Sequence, residues 1–111
     1  MGTPVYVYSA TTIAERYDAL DAAFEGVRHL IAYSIKSNAN LAVVHSLVER
    51  GAGVDVTSRG ELFRAIRAGA SPAKIVYSGV GKRDDEIAAA LDAAAAEITA
   101  ALAVLETEEA P

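Results

Sequence analysis

A lysine that directly follows an apolar run is the first candidate for chemistry in this sequence. Residues 29–35 are mostly apolar and too few for a typical helix, so they are predicted to form a buried strand that ends at Lys36. Burial of an amine favours its neutral form, which can attack the carbonyl group of an aldehyde. A lysine at a strand end can also simply extend its ammonium group into solvent. Spacing alone leaves both alternatives open.

Two carboxyl groups are further candidates. Asp55 interrupts the apolar run 53–57, where an unpaired carboxylate is costly. We therefore expect it to have a partner, either the Lys36 amine or an adjacent backbone donor. Glu61 follows Ser58 at the spacing of a helix capping box, which explains its presence without any ligand.

Other polar residues have simpler explanations. Asn40 suits a helix cap, and His29 and His45 are predicted to be partly exposed. Neither histidine has a pattern of metal ligands around it, so no metal site is expected. Residues 78–82 contain a Gly-x-Gly pair but lack the spacing of a phosphate-binding loop, so Lys82 is not assigned to a phosphate group.

Strands and helices alternate along the chain at the spacing of βαβ units. Apolar and β-branched runs predict strands at residues 5–8, 29–35, 53–57 and 74–78. The capping-box spacing of Thr12 and Glu15 predicts a helix that begins there and ends at Gly26, and further helices are predicted within 41–51 and 58–69. The alternation predicts an α/β fold with a parallel sheet. Ligands of such sheets bind at the carboxyl ends of the strands, and polar residues follow three of these strands, at 36–38, 57–59 and 78–81.

The chain becomes rich in alanine from Ile87 onward, and two interpretations of this region stay open. In the first, one helix that begins near Asp84 continues to about Leu105. In the second, the helix ends near Ala96 and residues 100–106 form a further strand.

Length and composition exclude several classes of protein. The 111 residues, 52% of them hydrophobic, suffice for one compact unit with a core and argue against disorder. A net charge of −5, with 10 basic and 15 acidic residues, argues against a nucleic-acid or anionic-membrane surface. The lack of cysteine excludes disulfides and thiolate chemistry within these residues and fits a reducing cytoplasm. We expect neither a targeting segment nor a membrane span.

The segment around Lys36 resembles a known lysine motif. Residues 33–38, Tyr-Ser-Ile-Lys-Ser-Asn, are similar to the segment that holds the pyridoxal-phosphate lysine in the fold-type III decarboxylases. This family contains the diaminopimelate, ornithine and arginine decarboxylases. Residues 3–20, 53–62 and 74–82 resemble further segments of the family in the same order, and the similarity is greatest to its bacterial diaminopimelate-specific members. The resemblance covers about residues 3–91.

The resemblance implies roles for four residues. Lys36 is the residue that would form a Schiff base with pyridoxal 5′-phosphate, and Asn38 belongs to the same motif and would orient its turn. Asp55 and Glu61 match an acidic pair near the cofactor. The implied activity is decarboxylation of a small amino acid, meso-diaminopimelate in lysine biosynthesis, by a cytoplasmic homodimer that binds neither nucleic acid nor membrane.

The resemblance also implies a (β/α)8 barrel, which needs about 250 residues, and a second, β-rich domain. We therefore expect residues 1–111 to be the first part of such a barrel, with an atypical tail rich in alanine and glutamate at 92–111. Alone, the chain is expected to be inactive and either marginally stable or self-associating. Two alternatives are a barrel protein that binds pyridoxal phosphate without catalysis and a separate α/β interaction module.

Overall fold

A parallel sheet with helices between its strands is the frame of the chain. The computed structural model describes residues 2–108, with the side chains of residues 2–96 and 99. The strands β1 (Ala32–Ser34), β2 (Gly53–Val56) and β3 (Ile75–Tyr77) form one sheet in the order β1-β2-β3, and both pairings are parallel. The helices are α1 (Ala10–Ala23), α2 (Leu41–Val48), α3 (Arg59–Arg67) and α4 (Asp84–Glu108), and short 3₁₀ turns cover Ile35–Ser37 and Pro72–Lys74. The predicted α/β class and parallel sheet are confirmed.

One face of the sheet packs against the helices and forms the core. Side chains alternate along a strand, so Val54 and Val56 of β2 point to the same face, and both are fully buried. They form one buried cluster with Ile35, with Val44 of α2 and with Leu62 of α3. The helices therefore cover the side of the sheet to which these valines point.

The opposite face carries the side chains of Ser34, Asp55 and Val76, which the register aligns in one row across the three strands. Ser34 and Asp55 are half-buried. Val76 is 46% exposed although it is the middle residue of β3. This face is therefore open over β3.

The start of α1 differs from the prediction. The helix begins at Ala10, because the Ser9 hydroxyl accepts a hydrogen bond of 3.2 Å from the Thr12 amide and caps the helix. The predicted capping box of Thr12 and Glu15 is therefore wrong. The helix ends at Ala23, three residues before the predicted stop at Gly26, which has a φ of 82° and ends the turn that follows the helix.

Residues 5–8 do not form the predicted strand. They are irregular and exposed, and Tyr6 is 88% exposed. A strand needs a hydrogen-bonded neighbour, and within residues 2–108 none of the three strands pairs with this segment. Composition typical of a strand does not produce one without a partner.

The strand before Lys36 is shorter than predicted. Pairing with β2 aligns Ala32 with Gly53 and Ser34 with Asp55, so the ladder has three residue pairs. The chain then turns into the 3₁₀ segment Ile35–Ser37. Lys36 therefore lies in a turn that follows the strand and not in the strand itself.

The alanine-rich region is helical as far as residue 108, the last that the structure describes, as in the first of the two interpretations. α4 continues from Asp84 to Glu108, which agrees with the high helix propensity of alanine. Three acidic residues in its first turn stabilise the positive end of the helix dipole. Among the described helices, including this one, none combines the length and hydrophobicity needed to cross a membrane.

His29 connects the end of α1 to the segment that enters the sheet. Its Nδ1 lies 2.7 Å from the Val27 carbonyl oxygen and its Nε2 lies 2.9 Å from an Asp21 carboxylate oxygen. Its ring lies against that of Phe24, with centroids 5.3 Å apart. Both polar partners only accept hydrogen bonds, so the doubly protonated imidazolium satisfies them together. The bond to Val27 and then that to Asp21 raise the pKa of His29 above its ordinary value of 6.5.

Shortening a buried valine should destabilise the protein. Val54→Ala removes two methyl groups from the core and should lower the free energy of unfolding by about 2 kcal/mol. Urea denaturation followed by circular dichroism measures this change. Val80 is a matched control because it is fully exposed, and Val80→Ala should change the value by less than about 0.5 kcal/mol. Equal effects of the two substitutions would contradict the placement of Val54 in the core.

The His29 contacts should make stability depend on pH. The folded state holds the His29 proton more tightly than the unfolded state, so the contribution is complete below pH 6.5 and is lost as pH rises through the raised pKa of the folded state. Urea denaturation from about pH 5 to about pH 8, where histidine titrates, should show stability falling on the alkaline side. Asp21→Asn removes the carboxylate and should flatten this dependence. An unchanged dependence in that variant would show that the Asp21 contact does not cause it.

Candidate functional site

Three polar side chains from neighbouring strands meet at the carboxyl edge of the sheet. The Ser34 hydroxyl donates to one Asp55 carboxylate oxygen at 3.2 Å, and the Ser78 hydroxyl donates to the other at 2.5 Å. The expectation that Asp55 has a partner is confirmed, but its donors are two serine hydroxyls and not the suggested Lys36 amine or a backbone donor. The sheet places a serine on each side of Asp55, and each hydroxyl donates to one of the two carboxylate oxygens.

Lys36 lies in the 3₁₀ turn after β1, two residues beyond Ser34. The prediction placed Lys36 at the end of a buried strand, where its amine would lose contact with water. In the described part of the chain the residue is instead exposed to solvent. Among the side chains that the structure describes, none forms a hydrogen bond or ion pair with the Lys36 ammonium group. The amine is therefore free to meet a ligand at this edge.

Asn38 fixes the turn that carries Lys36. Its side-chain oxygen accepts a hydrogen bond of 3.0 Å from the backbone amide of Asn40, and its backbone carbonyl oxygen accepts one of 3.1 Å from the Tyr33 hydroxyl. Burial raises the pKa of Tyr33, so its hydroxyl stays a donor at neutral pH. Asn40 in turn caps α2, as predicted, by accepting a hydrogen bond from the Ala42 amide.

Glu61 holds the turn between β2 and α3. One of its carboxylate oxygens accepts hydrogen bonds from the Thr57 amide at 2.6 Å and from the Thr57 hydroxyl at 3.0 Å. The Ser58 hydroxyl accepts from the Glu61 amide at 3.2 Å, which confirms Ser58 as the helix cap. The carboxylate thus reaches one residue further back than in a standard capping box, where it would bind the backbone of Ser58.

The glycine turn after β3 holds its own lysine. Lys82 Nζ donates to the Gly79 carbonyl oxygen at 2.8 Å and lies 5.7 Å from the centre of the Tyr77 ring. This ammonium group is therefore engaged within the turn. Burial raises the pKa of Tyr77.

His45 makes contacts on the helical side of the chain. Its Nδ1 lies 3.0 Å from the Ala68 carbonyl oxygen, just after α3, and its Nε2 lies 3.3 Å from Glu49. The residue is exposed, as the sequence predicted. Its contacts connect α2 to the end of α3.

Four hydroxyl-bearing residues that the sequence analysis does not name as site candidates form hydrogen bonds at this edge: Tyr33, Ser34, Thr57 and Ser78. The sequence does indicate both serines, because each is a hydroxyl-bearing residue at the carboxyl end of an apolar run. Their common partner was not visible, because it depends on the register between strands. For Thr57, the signal was its position directly before the helix cap.

The chemistry of the edge suits a ligand with an aldehyde group. Lys36 supplies a primary amine without a partner among the described side chains, and Asp55 supplies a carboxylate held in place by hydroxyls. Pyridoxal phosphate carries the required aldehyde, so these residues fit the side of a site that would bind the aldehyde group of this cofactor.

Comparisons with known proteins agree with this chemistry. Residues 10–106 match the family described as pyridoxal-dependent decarboxylase, pyridoxal binding domain. Diaminopimelate decarboxylase of Pseudomonas aeruginosa is 48% identical over 91 residues, which are 82% of this chain and 22% of that protein. The chain also matches the crystal structure of diaminopimelate decarboxylase from Helicobacter pylori complexed with L-lysine, with a TM-score of 0.81 and 40% identity. This match covers 84% of this chain and 24% of the Helicobacter pylori chain. Lysine/ornithine decarboxylase from Vibrio vulnificus, complexed with cadaverine, has a TM-score of 0.68 and 27% identity over 76% of this chain and 22% of that one. The chain thus spans about a fifth of the length of these relatives.

Removing the Glu61 carboxylate should loosen the turn after β2. In Glu61→Ala the Thr57 amide loses its acceptor, so its hydrogen exchange should accelerate by about tenfold, the cost of one hydrogen bond to a charged group. Exchange followed by NMR measures this rate. Glu15→Ala is the control, because Glu15 is exposed on α1 and its removal should leave the Thr57 amide unchanged. Equal exchange of Thr57 in the two variants would contradict this role of Glu61.

Proposed function

The chain belongs to the pyridoxal-dependent decarboxylase family, and from this we propose that the whole protein is a diaminopimelate decarboxylase. It would remove carbon dioxide from meso-diaminopimelate with pyridoxal phosphate as its cofactor. The observation that carries the proposal is the exposed Lys36 at the same edge of the sheet as the serine-held carboxylate of Asp55, in a chain 48% identical over 91 residues to such an enzyme.

We propose a separate task for each of the four site residues. Lys36 would hold the cofactor through its amine, and the Asn38 side chain would fix the turn behind that amine. Asp55 would offer its carboxylate oxygens to an N–H group of the bound molecules. Glu61 would keep the turn after β2 in shape through its bonds to Thr57. When bound, pyridoxal phosphate supplies a ring that accepts the electron pair left behind as carbon dioxide departs.

We further propose that the described strands and helices are the first units of a (β/α)8 barrel domain. Such a barrel carries helices outside its strands and active-site residues at the carboxyl ends of the strands. Two features support this proposal. The helices cover one face of the sheet, whereas Val76 is exposed on the other, which would be the barrel interior. The candidate residues Lys36 and Asp55 lie at the carboxyl edge of the sheet.

The proposal extends to partners and location. The substrate would be a small amino acid, in keeping with the L-lysine bound in the Helicobacter pylori relative. We propose a homodimer in the cytoplasm, as the resemblance to the decarboxylase family implies, and a chain segment without cysteine fits a reducing compartment.

Replacing Lys36 should remove both cofactor attachment and activity. In the full-length protein, reduction with borohydride in the presence of pyridoxal phosphate should leave the pyridoxyl group on the peptide that contains Lys36. Lys36→Ala should lose this label, and carbon dioxide release from meso-diaminopimelate should fall by about a thousandfold or more. Mass spectrometry of the digest and a carbon dioxide assay measure the two effects.

Lys74→Ala is the matched control. Lys74 donates to the Gly51 carbonyl oxygen, outside the candidate site, so its replacement should preserve both label and activity. A labelled Lys36 without carbon dioxide release would instead identify a barrel protein that binds the cofactor without catalysis. A protein that binds no cofactor at all would indicate an interaction module and would overturn the proposal.

A further inference from the structure

Two serines hold the Asp55 carboxylate from opposite sides. Ser34 belongs to β1 and donates to Oδ2, whereas Ser78 follows β3 and donates to Oδ1. Asp55 itself lies in the middle strand β2. The three side chains therefore form a bridge that crosses all three strands at the carboxyl edge of the sheet.

The backbone holds the partners of this bridge in register. Ser34 is the ladder partner of Asp55. The Ser78 amide donates to the Val56 carbonyl oxygen at 2.8 Å, which extends the pairing of β2 and β3 by one residue. Val54 and Val56 are buried on the helical face, so the alternation of side chains directs Asp55 to the other face. The bridge thus lies on the same side of the sheet as the exposed Val76.

Two donors fix the orientation of a carboxylate better than one. The terminal torsion of an aspartate is broad, so a single bond leaves the group able to rotate. One bond to each oxygen, from opposite strands, removes that freedom. A carboxylate offers about four acceptor positions, so about two stay open for a further donor. The best match to an acceptor fixed in this way is a cationic amine.

We propose that Ser34 and Ser78 are positioning residues that act through Asp55. They hold its carboxylate as an oriented acceptor for a cationic amine, supplied either by Lys36 or by the amino-acid substrate. The inference rests on the proposed function and adds two residues to the site. Neither serine needs to touch the cofactor or the substrate.

The test is a set of double-mutant cycles in the full-length protein. Ser34→Ala and Ser78→Ala are made alone and together with Asp55→Asn. Ser34→Thr keeps a hydroxyl group and should restore the properties lost in Ser34→Ala. Ser46→Ala is the control, because the Ser46 hydroxyl donates to the Val43 carbonyl oxygen within α2 and should be dispensable.

The measurements are the dissociation constant of pyridoxal phosphate without substrate, the circular dichroism of the bound cofactor, and kcat and KM. If Lys36 supplies the amine, each serine variant should bind the cofactor about tenfold more weakly, with KM unchanged. If the substrate supplies it, KM should rise by about the same factor while cofactor affinity stays constant. In either case the serine substitutions should have no further effect in the Asp55→Asn background.

Serine variants that match Ser46→Ala, or that lose as much in the Asp55→Asn background as in the wild-type background, would overturn the inference. The Lys36→Ala result separates this failure from failure of the proposed function. If Lys36→Ala loses the cofactor while the serine variants behave as wild type, only the positioning role is wrong. If Lys36→Ala keeps cofactor and activity, the proposed function itself is wrong.

Discussion

The pairing of β2 with a parallel strand on each side determines where the polar side chains lie. Both neighbours run in the same direction, so the chain leaves all three strands at the same edge and turns there towards the next helix. Val54 and Val56 tie β2 to the helices, and the residue between them is thereby directed to the other face. Asp55 cannot be moved to the helical side without exchanging the buried valines for polar groups. The core thus determines the direction of the carboxylate.

The turns at this edge are built by the same residues that begin the helices. Ser58 caps α3, and Glu61 in the first turn of α3 binds backwards to Thr57. Asn38 and Asn40 act similarly between the Lys36 turn and α2. Helix capping and site geometry are therefore not independent. A change that weakens a cap also changes the path of the chain past the candidate ligand.

Sequence patterns predicted the elements that depend on local interactions. The parallel sheet, the caps Asn40 and Ser58 and the position of Lys36 after a strand followed from apolar runs, capping residues and glycines. The prediction of a strand at residues 5–8 was wrong, because a strand forms only beside a neighbouring strand, which composition does not reveal. The partners suggested for Asp55 were wrong for a related reason. Ser34 and Ser78 lie 21 and 23 residues away along the chain, and only the register between strands brings them into contact with Asp55. Local patterns specify which residues are polar, whereas pairing between strands decides which of them touch.

The two strand pairings join residues at the same separation along the chain, and this affects how the chain folds during its synthesis on the ribosome. Each described strand meets its neighbour after one intervening helix, with paired residues 21 positions apart in both pairings, so the two closures have the same entropic cost. A strand leaving the ribosome therefore finds its partner already made in the unit before it. Asp55 can acquire its first serine as soon as β2 pairs with β1, and its second when β3 has been added. The carboxylate edge can thus be assembled in the order in which the polypeptide is translated, one unit at a time.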